Sequence, residues 1–600
     1  MKGPFFSSLM MLFFMISCIF SSEQDYRWWP VQKAPKAIVT TSIGDMEPAL
    51  YGGRKNSPEH MLVQSLSGLA AKAVNNDIID ELIWIKLEEQ DLHAPSYKIW
   101  LREIMEQNNY ENRGDFTTWQ LLDRYKNKGL VKGYVLYSYD YSEGTMPYLR
   151  EGMDRSVNAA TVAAGILDAV LIAEEIEDKA KQAGLEKLLD VRGKDEAWAF
   201  EHFKDQINPA LALAQDPRAP QHRAIAIANK TMVIFGMDEP TPTFYRWLEP
   251  LSPIMGWNVP GEGEFIEQLS VYGHHLLPSN WAMNLPVTSA GSQSHTFKPL
   301  KSVAPENIDF DAAKAVSFVM SDGDNVQWFM GDFSHGIDYY WASDDHGSYP
   351  LGWGAPYACL MQVSPVTYEY LQRTQPDKST LLLHAGGYFF PDRLAEKLGT
   401  EKRIELLRRH ARRVSHYMKT TGSTTYMFLC YENGTKEAIE AYQIFAEEIE
   451  DLIGMLTIQY SPYNAEEGKV FWVTNSDGID IPVSTCKYLI WANLDLRNTG
   501  TPTRISRKIN ENAAASTEDG EPYLAWAMTH TWSGFYEIDT NDETAENAQF
   551  MEADTYAGVT PTKWCVQQLD PDIRVVTPEE LLWKIRMAHR PEQTKKILEQ

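Results

Sequence analysis

The run "AVSFVMSDGDNVQW", Ala315 to Trp328, decides how the second half of the chain is read. An apolar, strand-like stretch stops at Ser321, and Asp322-Gly323-Asp324-Asn325 follow before the aromatic Trp328. Two carboxylates and an amide at the end of a buried strand can bind a metal, carry acid/base chemistry or only turn the backbone.

Working outward, the same rhythm recurs. Strands are expected at "KAVSFVM", "YACLMQV", "STLLLHA", "TTYMFLC", "GMLTIQY", "KVFWVTN", "KYLIWAN" and "YLAWAMT", with "IRVVT" near the end. Helical stretches such as "DRLAEKLGTEKRIELLRRHARRVSHYMKTT" and "TKEAIEAYQIFAEEIEDL" lie between several of them. About eight strand–helix units imply an α/β fold whose C-terminal part, residues 301–600, is a (β/α)-barrel, regular or irregular. In such a barrel the loops after the strands share one face, where chemistry gathers.

Residues 23–300 read as a mixed α/β N-terminal region of two subdomains. "MLVQSLSGLAAKAV" places apolar residues at helical spacing, with Gly and Ala allowing close packing. "DELIWIKL", "GLVKGYVLYSYD" and "TMVIFG" read as strands, and "SVNAATVAAGILDAVLIAEE" as one Ala-rich helix from Ser156 to Glu175. "SPIMGWNVPGEGEFIEQLSVYGHHLLPSNWAMNL" reads as a turn-rich connection, with His274-His275 exposed or capping. "GEGEFI" lacks the third glycine and preceding strand of a dinucleotide loop.

The residues after the barrel strands form the candidate site. Asp322, Asp324 and Glu432 supply carboxylates for a general acid and a nucleophile or water-activating base. Asn325, His384 and His530 would orient a sugar, and Trp328, Tyr388 and Trp532 would stack on it. The competing expectations are structural: Asp324 or Asn325 capping a helix near Val326, Glu432-Asn433-Gly434 as a turn, and His384 as a core histidine. An EF-hand fails on spacing, because Val326 stands where an oxygen ligand is needed and no bidentate Glu follows. A divalent metal at Asp322/Asp324 stays open as a deacetylase-like alternative, with His384 or His530 as distant ligands. No H-x-x-x-H or H-E-x-x-H occurs, however. No G-x-S-x-G elbow is present either. A non-catalytic glycan-binding protein is the third reading.

Composition narrows the partners. Of 600 residues, 82 are acidic and 55 basic, a formal charge of −27 that disfavours nucleic acid and anionic membranes. The 18 Trp and 29 Tyr suit either sugar stacking or core filling. Residues 1–22 read as an export signal, and Met15-Ile16-Ser17-Cys18 is a loose lipobox with Cys18 as a lipid anchor. The expected location is therefore periplasmic, cell-surface or secreted, with no membrane span in the mature chain. Cys359, Cys430, Cys486 and Cys565 are widely spaced and read as buried thiols.

"AGGYFFP" (Ala385 to Pro391) resembles the G-x-G-Y-x-Y-P motif of the GxGYxYP putative glycoside hydrolases. "FVMSDGDNVQW" and "LGWGAPYACL" are similar to that family's other signature phrases. "QSLSGLAAKAVN", "SVNAATVAAG" and "SPIMGWNVPGEGEF" resemble its N-terminal region. Ala385 replaces the first glycine and Phe390 the second tyrosine, while Tyr388 and Pro391 match. The resemblance implies an exported bacterial protein with a barrel-like C-terminal domain, grouped with glycoside hydrolases, and it supplies no catalytic pair. Separately, no cofactor is expected beyond the metal alternative at Asp322/Asp324.

Overall fold

The computed structural model describes residues 26–43, 57–89, 91–142, 150–518, 521–537, 547–548 and 554–599; the expected export segment and Cys18 lie outside them. The N-terminal region carries three parallel sheets. The first is built of β1 (Ala37–Ser42), β2 (Glu81–Lys86) and β3 (Glu111–Phe116), with β1 central. In the second, β4 (Gly133–Tyr137) lies between β5 (Ala169–Ala173) and β6 (Lys187–Asp190). The third has the order β10-β9-β7-β8, from β7 (Ala212–Ala214), β8 (Met232–Ile234), β9 (Pro253–Gly256) and β10 (His275–Pro278).

The helix Ser57–Asn75 packs closely as its small residues imply. A Cβ at Gly68 would lie 2.7 Å from the Ala224 carbonyl and from Ile227. The run expected as one helix from Ser156 to Glu175 divides instead. Its helix ends at Leu167, Asp168 turns the chain in the left-handed region (φ 53°), and β5 follows. A continuous apolar run cannot by itself distinguish a buried helix from a buried strand. His274 and His275, expected as exposed or capping residues, are both fully buried, with His274 Nε2 2.8 Å from the Tyr245 carbonyl.

The C-terminal part is a strongly curled, mostly parallel half-barrel sheet. Its strands are β11 (Lys314–Met320), β12 (Leu351–Ala355), β13 (Ser379–His384), β14 (Thr425–Cys430), β15 (Gly454–Gln459), β16 (Val470–Thr474), β17 (Asp480–Thr485), β18 (Tyr488–Ile490), β19 (Thr499–Gly500) and β20 (Tyr523–Thr529). The order is β16-β17-β15-β14-β13-β12-β11-β20-β18-β19, and Arg574–Val575 also pairs with β11. Only the β16–β17 pair is antiparallel among these ladders. One run of chain, Asp480 to Ile490, joins the two arms by pairing with β15 through β17 and with β20 through β18.

One strand lies elsewhere than expected: "YACLMQV" is the helix Tyr357–Val363, and the preceding "LGWGA" is β12. The glycines of β12 have a packing reason. A Cβ at Gly352 would meet the Pro578 ring at 2.5 Å, and one at Gly323 would meet the Gly354 backbone at 2.2 Å. Glycine inside a strand marks such close approach, although its propensity points away from a strand. All four described cysteines are free and buried.

The helix Pro578–His589 plugs the end of the sheet where its strands begin. Leu582 packs on Gly454, and Leu581, Leu582 and Ile585 join the apolar cluster inside the curl. Glu579, at the start of this helix, is 3% exposed and accepts a hydrogen bond from the Val303 amide (3.1 Å). Burial pushes its carboxyl up to about 7. The folded state therefore binds the proton more tightly than the unfolded chain, so stability falls as pH rises from about 4.5 through about 7. The loss is at most about 3 kcal/mol and complete above that window. Glu579→Gln keeps an acceptor for Val303. Thermal unfolding should show it close to wild type at pH ~4.5 and more stable at pH ~8, whereas parallel pH profiles would contradict this account.

Candidate functional site

β11 delivers Ser321, Asp322, Asp324 and Asn325 to the open end of the curl. Asp322 takes a left-handed backbone conformation (φ 60°), which Asp tolerates better than most residues, and its carbonyl accepts the Asn325 amide at 3.2 Å. Asn325 stands at the N-cap of the helix Val326–Met330 but makes no side-chain cap bond. The turn exists, yet the capping expectation fails, and these side chains face a cavity of about 280 Å³ instead.

Asp322 is held from two sides. Ser321 Oγ donates to its Oδ2 (2.5 Å) and Trp532 Nε1 to its Oδ1 (3.1 Å), so both oxygens accept. Ser321 is itself locked to the end of β20, through Thr531 N (3.1 Å) and Thr531 Oγ1 (3.1 Å). Asp324 is 7% exposed, with its Oδ1 4.0 Å from His384 Nδ1. Burial, reinforced by the charges of Asp322 and Glu262, drives its carboxyl well above the usual carboxylate range.

Glu262 is the residue that the sequence reading missed. It opens the helix Glu262–Val271 in the N-terminal region, far from the barrel in sequence, and it lines the same cavity. Tyr388 Oη donates to its Oε1 at 2.6 Å. Burial raises the Glu262 carboxyl to about 7 and Asp322 adds to the rise, while the Tyr388 hydrogen bond works against it. The signal available was the phrase "GEGEF", in which Gly263 has a clear purpose. A Cβ there would fall 2.4 Å from the Tyr460 ring, and the Gly263 amide donates to Tyr460 Oη at 3.2 Å.

The cavity gathers Asp322, Asp324, Asn325, His384, Tyr388, His530 and Trp532 from the expected set. Trp257, Tyr463 and Trp491 complete its aromatic walls. Trp491 lies flat on His530, with ring centroids 3.7 Å apart. Burial lowers His384 to about 3 and His530 to about 4, so both rings are neutral at physiological pH. Trp328 stands behind the wall, edge-on to Trp532 at 4.7 Å and to Trp281 at 4.6 Å, and buttresses the pocket rather than lining it.

Glu432 is a correction. Its amide and that of Tyr431 donate to the two carboxylate oxygens of Asp392 (3.0 and 2.9 Å), which turns the end of β14 away from the pocket. The Glu432 side chain is exposed and lines a separate cavity with Asp392, Arg393 and Glu437. The turn expectation describes this position. For a metal at Asp322/Asp324 the donor set is incomplete: among the described residues no three His, Cys, Asp or Glu side chains gather as a ligand group.

The variant motif explains how Glu262 reaches the site. Ala385, Gly386 and Gly387 all have positive φ (52°, 72° and 123°), and a Cβ at Gly387 would strike the His275 ring at 2.3 Å. Ala385 takes the glycine position at a left-handed cost of about 1–2 kcal/mol, of which burial of its methyl offsets only about 0.8 kcal/mol. The chain then pairs with β10: Leu276 N donates to Tyr388 O (2.8 Å) and Tyr388 N to Leu276 O (2.7 Å). Phe390, where the motif has tyrosine, is fully buried between Tyr388, Tyr431 and Tyr460.

Residues 313–586 match the model of the GxGYxYP putative glycoside hydrolase C-terminal domain, and residues 131–207 match that of the GxGYxYP_N second domain. No curated protein matches the chain. Among solved structures it is similar to a crystal structure of a putative hydrolase from Bacteroides thetaiotaomicron VPI-5482. The identity is 19%, over 94% of this chain and 98% of that one, with a TM-score of 0.71. At that identity the likeness is one of fold. A putative polysaccharide deacetylase from Mycobacterium smegmatis aligns at 10% identity over 49% of this chain and 95% of that one. Its TM-score of 0.27 is too low to carry an argument.

The Gly263–Tyr460 contact makes a testable demand. Gly263→Ala should lower stability by about 1–3 kcal/mol through overpacking. In a Tyr460→Ala background the same change should cost much less. Equal costs in both backgrounds, measured by denaturant unfolding, would show that this contact does not position the helix.

Proposed function

This chain belongs to the GxGYxYP putative glycoside hydrolase family, and from that premise we propose that it cleaves glycosidic bonds with Glu262 as general acid and Asp322 as nucleophile or water-activating base. The observation that carries the reading is the meeting of two unlike carboxyl groups in one aromatic pocket. Glu262 keeps its proton up to about pH 7, as an acid that protonates a leaving oxygen must. Asp322 accepts hydrogen bonds on both oxygens, which suits a carboxylate facing a developing positive charge. Burial and the neighbouring Asp322 and Glu262 favour the protonated form of Asp324, a donor for a sugar hydroxyl, while Asn325, His384 and His530 offer neutral polar contacts. Trp532, Trp491, Trp257 and Tyr463 supply flat surfaces for the sugar ring.

Export belongs to the same reading and rests on residues 1–22. Incorporation of labelled fatty acid into wild type but not into Cys18→Ser would establish an anchor, and absence from both would favour free secretion.

Glu262→Gln and Asp322→Asn should each lower kcat by roughly 10²–10⁴-fold with the circular dichroism spectrum unchanged, and Glu432→Gln should stay near wild type. A polysaccharide panel with reducing-end detection is the assay. Because the acid must be protonated, activity should fall as pH rises through about 7. Wild-type-like turnover by both pocket variants would overturn the assignment, and glycan binding without release of reducing ends would indicate a non-catalytic glycan receptor.

A further inference from the structure

We propose that the pocket seats a single sugar at a chain end, and that this sugar bears no acidic group. The proposal rests on the hydrolase reading for its chemistry, and on the shape and charge of the pocket for its selectivity.

Shape is the first argument. The cavity of about 280 Å³ lies just under the roughly 300–1,000 Å³ typical of drug-sized ligands, so one pyranose ring with some water fills it. It does not continue into the barrel. Met427, Ile458 and Met528 form its floor and belong to the apolar cluster that Leu581, Leu582 and Ile585 complete from the opposite end. It is also walled on the side of the N-terminal region. The Tyr388–Glu262 hydrogen bond and the Gly263–Tyr460 contact lay the start of a helix against the half-barrel there. An internal sugar of a polymer needs room for chain on both sides, whereas a terminal sugar needs one opening.

Charge is the second argument. Glu262, Asp322 and Asp324 line the pocket, and among the described residues no Lys or Arg does. His384 and His530 are buried beside the carboxyl groups and are held neutral. The hydrogen-bond donors to Asp322 are the hydroxyl of Ser321 and the indole of Trp532, neither of which is a cation. A uronic acid or a sulfated sugar would bring a negative charge into a pocket where both Asp322 oxygens already accept hydrogen bonds and no described lining residue is a cation, an unmet charge that suppresses a wrong partner. A neutral sugar meets no such barrier, and its C–H face fits the apolar floor.

The experiment uses the full chain and oligosaccharides carrying a fluorophore at the reducing end. One series ends in a neutral sugar at the other terminus, and a matched series ends in a uronic acid. The expected first products are single sugars and a labelled chain one residue shorter, with uronic-acid-terminated chains cleaved at least ~100-fold more slowly. In parallel, calorimetry of Glu262→Gln with a neutral methyl hexoside and with its methyl uronide should give one site for the former and none for the latter. Internal fragments as first products would overturn the chain-end assignment and leave the hydrolase reading standing. Equal handling of uronic acid and neutral termini would overturn the charge selectivity. Selective binding with no cleavage of any chain would overturn the hydrolase reading and support the pocket assignment.

Discussion

Two backbone hydrogen bonds between Leu276 and Tyr388 hold this molecule's functional geometry together. They join the edge of an N-terminal sheet to the loop that follows β13, and neither domain alone contains the resulting pocket. Three consecutive positive-φ residues, Ala385 to Gly387, bring the loop into position, and Gly387 allows it to pass His275. Once the bridge is made, Tyr388 points its hydroxyl at Glu262 and the two halves share a hydrogen bond inside the pocket. The motif is thus a docking device whose tyrosine enters the site.

That docking sets the electrostatics. Burial of Glu262 against the half-barrel raises its carboxyl, and the nearby Asp322 raises it further. Asp322 keeps both oxygens occupied as acceptors through Ser321 and Trp532, which belong to the ends of neighbouring strands β11 and β20. The contrast between the raised Glu262 carboxyl and the twice-bonded Asp322 comes from where each backbone places its side chain. The same burial keeps the two histidines neutral, so the described lining of the pocket has acidic groups and no cation. At the opposite end, the helix Pro578–His589 fills the base with apolar side chains and one buried glutamate whose carboxyl is raised. The open end is left as the place where polar groups can be both buried and reached by a ligand.

Much of this was legible in the residues. The strand-like run ending in Asp322-Gly323-Asp324-Asn325 is β11 and the loop that lines the cavity, because an apolar period followed by turn residues is a local signal. His384, Tyr388, His530 and Trp532 were legible in the same way, since parallel strands put their following loops on one face. Glycine-bearing β12 was misassigned because close backbone packing overrode strand propensity. Glu432 was misplaced because its local pattern matched the others, and only the hydrogen bonds to Asp392 turn it aside.

By itself the sequence determined the α/β class, the barrel-like C-terminal half and the strand-end origin of the Asp322 loop, all of which follow from periodicity and turn chemistry along the chain. The tertiary structure alone decided which carboxyl groups face one another. It brought in Glu262, whose sequence neighbourhood reads as a connecting turn, and it removed Glu432. The physical reason is that a carboxyl group's role is set by burial and by the charges beside it. In this protein the deciding neighbours, Tyr388 and Asp322, lie far from Glu262 along the chain.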